Sequence, residues 1–215
     1  KSAPYMHKRD QHPTILYADI IGYTALIRRD ETDAVEKLRQ FRATLREEVS
    51  NQNGEIIQLE KDSCLAIFEQ PADAAGCAIQ VQRAFQNPPA LAVRMGLHMG
   101  NILYEEGIAL GPSVYLTSQI ESLGEEAQVL LSETVAQKLK KENRFELQPV
   151  GEFKFKNIEK PTPVWALANE GLVVPGEGGE AEKQPPRKHN WKRPGQLFAG
   201  YLLAAWTILQ FVDWM

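Results

Sequence analysis

Between Thr14 and Asn169 the apolar residues change period repeatedly, and that switching constrains the fold more than any single motif. "TILYAD" (Thr14 to Asp19) has the make-up of a short buried strand. Ala34, Val35, Leu38, Phe41, Leu45 and Val49 fall at helical spacing, and Gly54 ends that helix. "EIIQLEKDSCLAIF" (Glu55 to Phe68) is two β-type runs around a tight polar turn, a hairpin. A second amphipathic helix runs from Pro71 to Phe85. Leu91, Val93, Met95 and Leu97 alternate as a strand that turns and returns near Ile102. Val114 to Leu123 and Glu133 to Leu139 read as helices flanking a strand at Val129 to Leu131, with further strands at Phe145 to Phe155 and Val164 to Leu167. This order predicts an α+β domain in which helices cover one face of a mainly antiparallel sheet.

Outside that region the chain changes character. Residues 1–13 are polar and unpatterned, and we expect them to be disordered, with 14–169 as the folded domain. Residues 170–196, rich in Gly, Pro and charge, have the composition of a flexible linker. Leu197 to Met215 is apolar except for Thr207, Gln210 and Asp213. As a helix it would be about 28 Å long, close to a bilayer core of about 30 Å. Arg187, Lys188, Lys192 and Arg193 precede it, and Trp191, Trp206 and Trp214 suit the interfaces. The segment is therefore expected to be a transmembrane helix tethering a cytoplasmic domain to the inner membrane. The alternative, a helix packed on a partner, lacks a substantial polar face. A formal charge of −4 argues against nucleic acid as a partner. Two cysteines, Cys64 and Cys77, cannot make a disulfide scaffold or a four-thiolate zinc site and read as buried residues of a reducing compartment.

"YADIIGYT" sets Asp19 at the end of a buried strand before a tight glycine turn. This suits a metal-bound polyphosphate: Asp19 offers a carboxylate, Ile20 a carbonyl, and the turn its backbone N–H groups. Asp62, at the tip of the hairpin, is the second carboxylate. A hairpin that swings its tip beside the first strand would let the two hold Mg²⁺ or Mn²⁺. Taken singly, a strand-end Asp before Gly is more often structural, and Asp62 also reads as a plain turn residue.

"TILYADIIGYTAL", "GEIIQLEKDSCLAIF", "VRMGLHMGNI", "VLLSETV" and "GEFKFKNIEKPTPVWAL", in this order and spacing, resemble the class III adenylyl/guanylyl cyclase catalytic domain. The tail is similar to that of bacterial members in which such a domain precedes a membrane helix. The resemblance implies a ferredoxin-like fold, a head-to-tail homodimer and nucleoside triphosphate sites at its interface. It also implies that Asp19 and Asp62 are the metal aspartates, and that Ile20, Ile21, Gly22, Tyr23 and Thr24 form the phosphate loop.

Other positions depart from the family. Its Gly-Asp-Gly hairpin tip is Lys61-Asp62-Ser63 here, which sets a cation beside the metal ligand. The base-recognising Lys falls on Gln58, and its acidic or threonine partner on Ile108. The ribose-orienting Asn becomes Tyr115, and the transition-state Arg becomes Gln119. Either Lys156 or Lys160 corresponds to the late phosphate-binding Lys. The resemblance thus implies a site that keeps its metal pair and has lost base recognition and transition-state charge. Weak binding of Mg²⁺ or Mn²⁺ is expected, with degenerate catalysis in a homodimer. A heterodimer with a second cyclase chain, or weak cyclase activity on ATP or GTP, is the alternative.

Overall fold

A computed structural model describes residues 12–88, 90–105 and 108–176. These lie in the first of two compact units, Lys1–Glu182; the second, Lys183–Met215, with the expected membrane segment, lies outside the described residues. Among the described residues no helix is long and apolar enough to cross a membrane.

The strands are β1 (Thr14–Ile20), β2 (Glu55–Glu60), β3 (Ser63–Phe68), β4 (Val93–Met99), β5 (Leu103–Glu105), β6 (Ile108–Leu110), β7 (Val129–Ser132), β8 (Leu147–Phe153) and β9 (Thr162–Leu167). The helices are α1 (Tyr23–Arg29), α2 (Glu31–Asn51), α3 (Pro71–Gln86), α4 (Pro112–Ser122) and α5 (Glu133–Leu139). Seven strands form one sheet in the order β2-β3-β1-β4-β7-β9-β8, antiparallel throughout except for the parallel pair β4–β7. The α+β class and nearly every predicted element are present. The expected return strand near Ile102 instead pairs outside the sheet, as the β5–β6 ribbon. The short α1 was not foreseen, because "YTALIRR" is too brief to show a period.

The expectation of helices on a single face needs correction. Successive side chains of a strand point to opposite faces, so each buried strand here serves two cores. Leu16, Ala18 and Ile20 of β1 join Phe41 and Leu45 of α2, Phe85 of α3 and Leu139 of α5. Ile15 and Tyr17 of the same strand join Val114 of α4 and Ala109 of β6 on the other face. Strand β7 divides likewise, with Leu130 packing on Leu116 and Ile120 of α4. Phe41 and Phe85, with ring centroids 6.1 Å apart, lock α2 onto α3. The ordered body also runs past Asn169: Leu172 and Val174 still pack on it, and the Val173 amide donates to the Ala127 carbonyl.

Helix α4 approaches β4 closely because position 96 is glycine. A Cβ there would sit 2.6 Å from the Glu121 amide nitrogen and 2.7 Å from the Thr117 carbonyl oxygen, both backbone atoms. Overpacking of this kind costs about 1–3 kcal/mol or more. Gly96→Ala is therefore expected to lower the urea midpoint with little change in slope; an unchanged midpoint would refute the close contact.

At the far end of β4, His98 Nδ1 lies 2.9 Å from Ser132 Oγ, which in turn contacts Thr134 Oγ1 at 2.8 Å. Burial holds the His98 imidazole down to about 4, below its ordinary 6.5. The unfolded chain therefore takes up this proton first. The stability that neutral His98 contributes is complete above pH 6.5 and declines as pH falls towards 4. His98→Gln should flatten that part of a melting-temperature profile; an equally steep acid decline in the variant would exclude His98 as its source.

Candidate metal and nucleotide site

The site begins with strand register. Asp19 of β1 stands opposite Ser63 of β3, so the hairpin tip lies beside the end of β1. The Ile20 amide donates to the Asp62 carbonyl at 3.0 Å, fastening the tip to the strand that carries the first aspartate. Asp19 and Asp62 thus come together as expected, though on different footings. Asp19 is 7% exposed at the end of an interior strand, whereas Asp62 is half-buried at the tip of the sheet's edge hairpin.

The cation at this site is Arg94, which was not singled out in the sequence. Arg94 lies on β4 directly opposite Asp19. Its Nη2 is 3.3 Å from Asp19 Oδ2, and its Nε is 2.5 Å from Glu121 Oε1 of α4. Its Nη1 donates to the carbonyls of Ser122 and Gly124, both at 3.4 Å. Glu121 is 1% exposed; burial pushes its carboxyl up to about 8, with Arg94 pulling the other way. The available signal was one of phase. Arg94 falls on the alternate positions of a strand whose Val93, Met95 and Leu97 are buried, so it had to point into the second core.

Lys61 is arranged differently from expectation. It makes no ion pair with Asp62 among the described residues; Arg94 pairs with Asp19 instead. Lys61 instead shows its departure from glycine in the backbone, with φ 45° in the left-handed region. A side chain in that conformation costs about 1–3 kcal/mol. The Lys61 carbonyl accepts a hydrogen bond from Arg42 Nη2 of α2 at 2.9 Å.

The expected phosphate loop, Ile20 to Thr24, is held at its start by other backbone groups. The amides of Ile20 and Ile21 are engaged by the carbonyls of Asp62 and Ala92. That leaves Gly22, Tyr23 and Thr24, where Gly22 takes φ 72° so that α1 can start directly after β1. Burial raises the Tyr23 phenol, with Asp62 raising it further and Arg42 lowering it. Two carboxylates with Ile20 beside them suit a hard divalent cation that completes its shell with water and phosphate oxygens. No group of three or more His, Cys, Asp or Glu side chains that could hold a metal exists among the described residues.

The positions assigned to base and ribose chemistry lie on adjoining elements, since Ile57, Ala109 and Val114 beside them share one cluster of side chains. Gln58 lies on β2, and its Oε1 is buried without a hydrogen-bond partner among the described residues. Ile108 starts β6, across from Glu105 in register, and Tyr115 is half-buried on α4. Gln119 is 5% exposed and fully occupied: its Oε1 accepts from the Lys156 amide at 2.9 Å and its Nε2 reaches the Lys156 carbonyl at 3.4 Å. The side chains of Lys156 and Lys160 remain exposed in the connection between β8 and β9. Removing Gln119 would leave two backbone groups without their partner, at about 1–3 kcal/mol. Gln119→Ala should lower the melting temperature and speed amide exchange at Lys156; unchanged exchange would show that the clamp is absent in solution.

Comparison with known proteins agrees with this architecture. The family model of the adenylate and guanylate cyclase catalytic domain matches residues 5–169. A provisionally named adenylate cyclase 3 of Rhizobium meliloti (strain 1021) is 26% identical over 184 residues, which is 81% of this chain and 31% of that protein. The chain thus spans less than half the length of this curated relative. An adenylate/guanylate cyclase/hydrolase structure from Silicibacter pomeroyi superposes with a TM-score of 0.66 at 28% identity, over 72% of this chain and 95% of that one. The fold is also that of a non-canonical dimeric guanylyl cyclase domain from Blastocladiella emersonii, with a TM-score of 0.64 at 15% identity over 74% and 96% of the two chains. With that model matched over nearly the whole described body, this chain belongs to the adenylate and guanylate cyclase catalytic domain family.

Proposed function

We propose that this domain is a class III cyclase unit that keeps the metal half of its site and is catalytically degenerate as a homodimer, acting as a regulatory or dimerising module. The observation that carries this reading is the state of Gln119. At the position where the family resemblance sets a transition-state arginine, the side chain is uncharged and both ends of its amide hold the Lys156 backbone. Cyclisation needs a cation on the charge that develops as the ribose hydroxyl attacks and pyrophosphate leaves. Losing one such stabiliser costs about 10²–10³ in rate.

Pairing is supported by the β5–β6 ribbon. Leu103 and Leu110 face each other across it and are 62% and 41% exposed, an apolar pair suited to a partner surface. Two-fold pairing would place the same ribbon on both chains. The apolar segment 197–215 would hold the module at a membrane; release of the full chain by an alkaline wash of membranes would count against that part.

The retained Asp19–Asp62 pair favours one further reading, the metal-contributing member of a heterodimer whose partner supplies the missing groups. A cyclic-nucleotide assay of the purified full chain with Mn²⁺ and ATP or GTP tests both. No turnover above background is expected from the homodimer, and clear turnover would overturn the reading. Turnover only on co-expression with a second cyclase chain, abolished by Asp62→Asn, would establish the heterodimer instead.

A further inference from the structure

The hairpin tip that carries Asp62 is held in a conformation its own sequence disfavours. Lys61 occupies the left-handed region with φ 45°, where a β-carbon is strained and a glycine is not. Three bonds fix the tip. Ser63 Oγ donates to the Glu60 carbonyl at 3.1 Å within the turn, and the Ile20 amide donates to the Asp62 carbonyl at 3.0 Å from β1. The third comes from outside the sheet: Arg42 Nη2 of α2 donates to the Lys61 carbonyl at 2.9 Å. Successive carbonyls of the tip are thereby tied to two different elements, and the charged guanidinium bond is the stronger kind.

We propose that Arg42 is a positioning residue for Asp62: by holding the Lys61 carbonyl it fixes a strained hairpin tip, taking over the role a glycine at position 61 would fill by conformational freedom. Arg42 is well placed for this. It follows Phe41, which is fully buried between α2 and α3, so its backbone is anchored one residue from a rigid contact. Its influence on the Tyr23 phenol, opposite in sign to that of Asp62, sets the guanidinium among the same neighbours. Arg39, one helical turn earlier on the same face, is instead paired with Glu36 at 2.6 Å. The inference rests on the proposed metal role of Asp62 only for its functional consequence; the fastening itself is a matter of backbone geometry.

The test uses the full chain with Arg42→Met, Arg42→Lys, Lys61→Gly and the double variant Arg42→Met/Lys61→Gly. Hydrogen exchange at the amides of residues 60–64 is read beside calorimetric titration with Mn²⁺ and ATP. Arg42→Met should speed exchange at the tip and weaken Mn²⁺–ATP binding, each about tenfold. Arg42→Lys, which retains a donor, should lose less than Met. The double variant should return both readouts to near the wild-type values, because glycine adopts the tip conformation without the guanidinium. A general loss of packing would not be rescued by a glycine on the neighbouring hairpin. Unchanged exchange in Arg42→Met, or failure of Lys61→Gly to rescue it, overturns the proposal. Asp62→Asn separates the two claims: if it leaves Mn²⁺–ATP binding intact, the metal reading of Asp62 falls, while the exchange pattern still decides whether Arg42 holds the tip.

Discussion

One guanidinium joins three elements of this domain. Arg94 leaves β4 between Asp19 of β1 and Glu121 of α4, whose carboxyl burial raises even with the guanidinium beside it. Removing a partner from such a group leaves an uncompensated buried charge, which is why charges of this kind are strongly coupled. The strand end that presents Asp19 and the helix that covers the second face therefore share one electrostatic constraint. A divalent cation at Asp19 would act on a carboxylate already in contact with Arg94, which in turn is braced by Glu121 and two α4-end carbonyls.

The close packing of α4 makes that arrangement possible and also restricts it. Gly96 brings the helix backbone onto β4 at Thr117 and Glu121, which fixes the rotation of α4 about its axis. With 3.6 residues per turn, position 119 lies about 200° round from position 121. Gln119 accordingly meets the β8–β9 connection while Glu121 meets Arg94. The side of α4 that meets Arg94 and the side that pins the later loop are set by the same contact.

Much of this was legible in the sequence because it rests on period and adjacency. The strand at Thr14, the hairpin ending in Asp62 and the α4 helix all carry patterns longer than a turn. The juxtaposition of Asp19 and Asp62 follows once the hairpin pairs with β1. What was not legible depends on tertiary contact. The pairing of Arg94 with Glu121 joins residues 27 apart in sequence, neither conspicuous alone, and only the two-sided burial of β4 brings them together. Lys61 was expected to act through its charge; its positive φ is invisible in composition. Within Ile20 to Thr24, the amides of Ile20 and Ile21 are taken by the carbonyls of Asp62 and Ala92, contacts that no local pattern announces.

The amide of Gln119 has a consequence for what position 119 can accept. An arginine there would bring charge but no acceptor, so the Lys156 amide would lose the oxygen it donates to. That substitution would need a second change in the β8–β9 connection to be tolerated. Helix residue and loop are in this sense interdependent: position 119 can be altered freely only together with the segment it holds.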